Sequence, residues 1–179
     1  DEAVEPEELQ KYINQYLPED IAVTGVVAAG ERFHSRLNAT GKTYEYHLIP
    51  YGTYDVFARK YAWQMTEPLD IEAMREAAGH VLGSHDFRGF CTKAAKKKST
   101  IRTIRLLEIY ETKNEIVIEI TGNGFLYNMV RILVGTLVEV GMGLRKADDI
   151  PTILEKKERR YAGETAPACG LFLKQIYYE

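Results

Sequence analysis

The run TGNGFLYNMVRILVGTLVEVGMG, residues 121–143, constrains the fold more than any other part of the chain. Gly122 and Gly124 bracket Asn123 at its start, and Gly141 and Gly143 close it, so it reads as one long helix with glycine punctuation at both ends. Asn128, Arg131 and Glu139 break the apolar run into pieces too short to cross a bilayer, so no membrane span is expected. At about 100° per residue, Asn128, Arg131, Gly135 and Glu139 fall on one narrow stripe. The residues around that stripe are Leu, Val, Ile, Met, Phe or Tyr, apart from Thr136. Such a helix is buried on most of its circumference and shows one thin face to something polar. Arg131 has no acid three or four residues away, because those positions hold Tyr127, Asn128, Val134 and Gly135. Its counter-charge comes from elsewhere in the fold or from a ligand. Two readings stay open at this point: a structural ion pair or an arginine snorkelling to water, and a functional arginine.

The 179 residues make one domain of generous size or a large piece of a longer protein. A hydrophobic content of 45% with mixed charge is globular and excludes disorder. No signal peptide or lipidation motif is visible. Cys91 and Cys169 are far apart, with no CxxC pair, which points to free thiols, a reducing compartment and a cytoplasmic location. Together with His34, His47, His80 and His85 they show no metal-ligand spacing, so no metal is expected. The net charge of −3 by itself argues against nucleic acid, but its distribution does not. Lys93, Lys96, Lys97, Lys98, Arg102 and Arg105 fall in one acid-free stretch, which leaves 17 basic against 26 acidic residues, a net −9, over the rest. This is a positive patch on an acidic body; a solvated lysine loop is the plain alternative.

In chain order, Pro6 to Leu17 reads as a short amphipathic helix with Pro and two acids at its N-terminus. Ile21 to Ala29 reads as a strand, and Arg32 to Thr40 as a polar functional or connecting loop. Gly41 to Pro50 alternates, with Lys42, Tyr44, Tyr46 and Leu48 on one face of a strand. Residues 61–65 read as a short extended piece. Asp70 to Leu82 is a helix capped by Asp70 and stopped by Gly83. Ile101 to Tyr110 and Glu115 to Thr121 form a hairpin. After the central helix, a further helix starts at Asp148 to Pro151 and runs to about Arg159, and Gly170 to Tyr178 is a closing strand. The order predicts an α+β fold, a mixed, mostly antiparallel sheet flanked by helices on one side.

Five segments, in order, resemble the tRNA pseudouridine synthase A family. They are Phe33-His34-Ser35-Arg36 followed by Ala39; Lys42-Thr43-Tyr44-Glu45-Tyr46; His85-Asp86-Phe87 with Phe90; Asn123 to Arg131 followed by Ile132 to Gly135; and Gly170-Leu171-Phe172-Leu173. Each is weak alone, but together they span nearly the whole chain. The resemblance implies two halves of RNA-recognition-motif or ferredoxin-like architecture with an active site between them. It also implies isomerisation of uridine to pseudouridine at positions 38–40 of the tRNA anticodon arm, without a cofactor, by an enzyme that is a homodimer in its full-length form.

By the same resemblance, Arg131 pairs with the nucleophilic aspartate, Tyr44 stacks on the flipped uracil, and Leu171 walls the ring. His34, Arg36 and Asn128 are further substrate contacts, and Lys93, Lys96, Lys97, Lys98 and Arg102 meet RNA phosphates. The sequence departs from the family at one place. The family's Arg-Thr-Asp-Ala-Gly nucleophile motif is absent, and none of Asp1, Asp20, Asp55, Asp70, Asp86, Asp148 and Asp149 has that context. The chain is therefore expected to be the C-terminal half of such an enzyme and inactive alone. Its competitors are a non-catalytic RNA-binding module of similar fold, and a small-molecule enzyme using His34 or His85 as a base.

Overall fold

A computed structural model describes residues 4–93 and 99–178. The chain divides into two compact units, residues 1–38 and 39–179.

In the first unit, helix α1 (Pro6–Asn14) has proline at its start and Glu7 and Glu8 in its first turn. The strand expected over Ile21 to Ala29 does not form. At Val23 the backbone bonds go to helix side chains instead of to a β-ladder: Gln10 Nε2 and Asn14 Nδ2 donate to the Val23 carbonyl at 3.1 and 2.9 Å, and Val23 N donates to Asn14 Oδ1 at 2.8 Å. Branched residues favour extended backbone, but a strand needs a partner.

The second unit is built on a six-stranded sheet. Its strands are β1 (Ala39–Ile49), β2 (Trp63–Gln64), β3 (Gly83–Asp86), β4 (Ile101–Glu111), β5 (Ile116–Gly122) and β6 (Leu171–Tyr178). They lie in the order β2-β1-β5-β4-β3, and β6 shares with β2 the outer edge of β1. Only the short β1–β2 contact is parallel. This is the α+β, mostly antiparallel architecture expected from the sequence. The strand β3 is an addition: Gly83 to Asp86 pair with Ile104 to Ile101.

Helices α2 (Ile71–Gly79), α3 (Met129–Gly141) and α4 (Asp149–Lys156) complete the unit. Asp70 caps α2, its Oδ1 accepting from Ala73 N at 3.0 Å. Asp70 N donates to the Gly141 carbonyl at 2.8 Å, tying the start of α2 to the end of α3. The two helices approach so closely that a Cβ on Gly141 would lie 2.7 Å from Met74 Sδ. Tyr46, Leu48, Ile104, Leu107, Ile109, Ile118 and Ile120 from the sheet bury against Met74, Ile132, Leu133, Leu137 and Val138 of the helices. Each such side chain contributes about 1.5–3 kcal/mol relative to exposure.

The central helix is shorter than the glycine punctuation suggests. Thr121 and Gly122 finish β5, residues 123–128 form a loop, and α3 begins at Met129. Gly122 serves the sheet: a Cβ there would meet the Thr103 carbonyl at 2.8 Å. Asn123 continues the pairing, with its N donating to Thr103 O and its Oδ1 accepting from Thr103 N.

On the face of the sheet opposite the helices, Glu45 and Glu119 stand directly across from each other on β1 and β5. Like charges there would repel. Lys174 lies between them, its Nζ 2.8 Å from each carboxylate, at the point where β6 slips register against β1.

Candidate active site

The polar stripe of α3 carries a segment of backbone. Residues 163–166 run along it as a strap. Gly163 N donates to Thr136 Oγ1 at 2.9 Å, and Thr136 Oγ1 donates in turn to the Ile132 carbonyl at 2.7 Å. Glu164 N donates to Glu139 Oε1 at 2.8 Å. Ala166 N donates to the Arg131 carbonyl at 3.1 Å, and Arg131 Nε donates back to the Ala166 carbonyl at 2.6 Å. Gly135 lets the strap sit directly on the helix, since a Cβ there would lie 1.9 Å from the Glu164 carbonyl oxygen. At the next residue, Tyr46 Oη donates to the Pro167 carbonyl at 2.7 Å. Burial pushes the Tyr46 hydroxyl pKa well up, with Arg131 partly offsetting it, so the phenol stays a donor. Consecutive carbonyls are thus read by Arg131 and Tyr46, and the strap passes from there through a short 3₁₀ turn into Leu171.

This construction brings four of the sequence-predicted residues together. Tyr44, Asn128, Arg131 and Leu171, with Phe125, Leu126, Met129 and Val130, line one cleft of about 110 Å³. Tyr44 reaches it from β1, on the same face as Tyr46, and its ring meets Phe125 edge-on at 5.2 Å and 90°. Burial raises the Tyr44 hydroxyl pKa, so it is neutral near pH 7. Asn128 is left-handed, with φ 61°, and its Nδ2 donates to Thr92 Oγ1 at 3.2 Å.

Arg131 is half-buried, and among the described residues its terminal nitrogens bond to no carboxylate. Glu139, on the same helix stripe, pairs with Arg145 at 2.8 Å, and Glu119 on β5 with Lys174 at 2.8 Å. Arg131 therefore makes no structural ion pair among the described residues, and its side-chain bond is to the Ala166 carbonyl. None of the aspartates among residues 39–178 lines the cleft. Asp55, Asp70, Asp86 and Asp149 accept from nearby backbone N–H groups, and Asp148 faces His80 at 3.6 Å.

His34 and Arg36 belong to the first unit, where His34 Nδ1 accepts from the Arg36 and Leu37 backbone at 3.1 and 3.3 Å. Lys93 Nζ sits 5.3 Å from the centre of the Tyr127 ring. Arg102 bonds to the Ser99 and Ile101 carbonyls, and Lys96, Lys97 and Lys98 lie outside the described residues. His85 Nε2 is bonded to the Leu82 carbonyl at 2.7 Å and does not line the cleft. Among the described residues no cluster of ligating side chains could hold a metal. Cys91 and Cys169 are both free. Sequence reasoning assigned no role to Phe125 or Tyr46. Phe125 lies inside the Asn123 to Arg131 motif, and Tyr46 shares a strand face with Tyr44, so both carried a signal.

Residues 77–179 match the family model described as tRNA pseudouridine synthase. The chain belongs to that family. It is 43% identical over 178 residues to tRNA pseudouridine synthase A 2 of Bacillus cereus, covering 99% of this chain and 73% of the relative. With tRNA pseudouridine synthase A 1 of the same species it shares 45% over 166 residues, covering 93% and 67% of the two chains. A Bacillus anthracis tRNA pseudouridine synthase A 2 is 43% identical over 178 residues. Within this pseudouridine synthase chain, the family model includes Phe125, Asn128, Arg131 and Leu171 but not Tyr44, which the longer matches take in. No helix is long and apolar enough to cross a membrane among the described residues.

Proposed function

We propose that this chain carries the substrate side of a tRNA pseudouridine synthase, an isomerase that detaches uracil from its ribose and rejoins it through carbon C5. One observation carries the reading. Arg131 lines a cleft with Tyr44, Asn128 and Leu171 while its terminal nitrogens have no carboxylate partner among the described residues. A guanidinium left in this state is suited to hold an incoming aspartate ionised, as a nucleophile requires. The cleft is far smaller than a drug-sized pocket, which suits a single flat ring turned out of its stack. Tyr44 and Phe125 offer aromatic surface to that ring, and Leu171 adds an apolar wall. Tyr44 is neutral and can donate a hydrogen bond to the uracil edge or to the attacking carboxylate.

The nucleophilic aspartate is supplied by a segment outside these residues, since no aspartate of the second unit lines the cleft and the Arg-Thr-Asp-Ala-Gly motif does not occur. The target is a uridine at positions 38–40 of the anticodon arm, the working form is a homodimer, and the site of action is the cytoplasm. His34 and Arg36 are further RNA contacts, and the stretch from Lys93 to Arg102 meets phosphates.

Tritium release from tRNA labelled at uracil C5 tests the reading, because forming the new carbon–carbon bond expels the C5 hydrogen. The chain alone is expected to release none. A mixture with a separately expressed segment bearing the aspartate motif is expected to release it, and Arg131→Ala to abolish that release. Pseudouridine formed by this chain alone would overturn the assignment of the nucleophile. An inactive mixture that still binds tRNA would favour a non-catalytic RNA-binding module.

A further inference from the structure

Tyr127 lies between two cleft-lining residues, Leu126 and Asn128, yet the residue is 57% exposed. An exposed tyrosine alone means little. This one is held in place on both sides. Asn128 takes the left-handed conformation, so the backbone reverses immediately after Tyr127. Met129 N closes the turn onto the Leu126 carbonyl at 3.0 Å. The Asn128 side chain then binds Thr92, and the next residue, Lys93, sets its ammonium 5.3 Å from the ring centre. One hydrogen bond thereby joins the cleft-lining loop to the start of the basic stretch. Among the described residues the ring has no aromatic partner.

We propose that Tyr127 and Lys93 form a stacking platform for the RNA base next to the one held in the cleft, with Lys93 meeting the phosphate between the two nucleotides. The proposal rests on the uridine-binding reading above. Base–aromatic stacking tolerates any base, so the platform would hold the neighbouring nucleotide without reading its identity. Holding that neighbour in place while the target turns out leaves the target's unstacking as the main cost.

Binding of a fluorescein-labelled anticodon stem-loop, followed by anisotropy across a salt series, tests this. Tyr127→Ala is expected to weaken binding about tenfold without changing the salt slope. Tyr127→Phe is expected to stay within about twofold of wild type. Lys93→Gln should lower the slope of log affinity against log salt by about one. In a second measurement, 2-aminopurine replaces the nucleotide on the 5′ or the 3′ side of the target. Wild type should quench one of the two probes, Tyr127→Ala neither, and Tyr127→Phe the same one as wild type. A Tyr127→Ala protein with unchanged thermal midpoint, wild-type affinity and wild-type quenching overturns the platform alone. A wild-type chain that binds no stem-loop overturns both the platform and the uridine-binding reading.

Discussion

Gly135 and Gly79 are both helical glycines, and the structure assigns opposite signs to the same substitution at each. Gly79 ends α2 with nothing within 4 Å of a built Cβ. Gly79→Ala gains helix propensity and loses unfolded-chain freedom, so it should stabilise by about 0.5–1 kcal/mol. Gly135→Ala gains the same propensity but places a methyl 1.9 Å from the Glu164 carbonyl oxygen. Ordinary contact would require the strap to retreat by roughly 1.5 Å. Four hydrogen bonds cross that gap, from Gly163, Glu164, Ala166 and Arg131 Nε, at 2.9, 2.8, 3.1 and 2.6 Å. A retreat of that size takes all four beyond hydrogen-bond range. At about 1 kcal/mol each, less about 1 kcal/mol of propensity, the net loss is about 3 kcal/mol. Urea unfolding followed by circular dichroism measures both variants. A Gly135→Ala protein as stable as wild type would refute the strap as a tightly seated element. The pair also controls for any general effect of alanine.

Two further outcomes follow from single contacts. Thr136→Val keeps the shape but removes a buried hydroxyl that accepts from Gly163 N and donates to Ile132 O, so it should destabilise by about 1–3 kcal/mol in the same unfolding assay. Burial alone would raise the Asp86 carboxyl, but bonds from Thr100, Lys157 and Arg88 N outweigh it and hold its pKa below the ordinary value. Its contribution is therefore present above about pH 4, the ordinary range for Asp, and fades as pH falls through the lowered value. The stability difference between wild type and Asp86→Asn should shrink as a urea series is taken from pH 6 to pH 3, and a constant difference would contradict the pairing.

The period-two pattern of β1 and the branched residues of β4 and β5 made the sheet legible, because each strand has its ladder partner within the second unit. Ile21 to Ala29 carried the same local signal and misled, since its partners are the side chains of Gln10 and Asn14. Local composition records a preference for extended backbone and not the presence of a neighbour. Gly122 misled in the opposite direction: a glycine required by close strand approach looks in sequence like one that opens a helix. The α3 stripe was legible as polar, and Arg131 as lacking a local acid. That most of the stripe grips a peptide strap was not legible, because backbone carbonyls and amides leave no mark in sequence. The strap itself, Gly163 to Ala166, has neither periodicity nor charge to announce it.

The sheet joins β1 to β6, strands at opposite ends of the second unit, and this bears on the timing of synthesis. Tyr46 waits for a carbonyl 121 residues further along the chain, and Thr43 for a hydroxyl 134 residues on. During translation the β4–β5 hairpin and α3 emerge together and can pair at once. The outer edge of β1 from Ala39 to Tyr46 stays unpaired until nearly the whole unit has left the ribosome, since β2 covers only Leu48 and Ile49. The strap and Leu171 arrive in that same final stretch, so the cleft is assembled last. A nascent chain stalled before residue 163 would present Tyr44 and Arg131 without Leu171 and without the strap that Arg131 and Tyr46 hold, so the cleft would stand open.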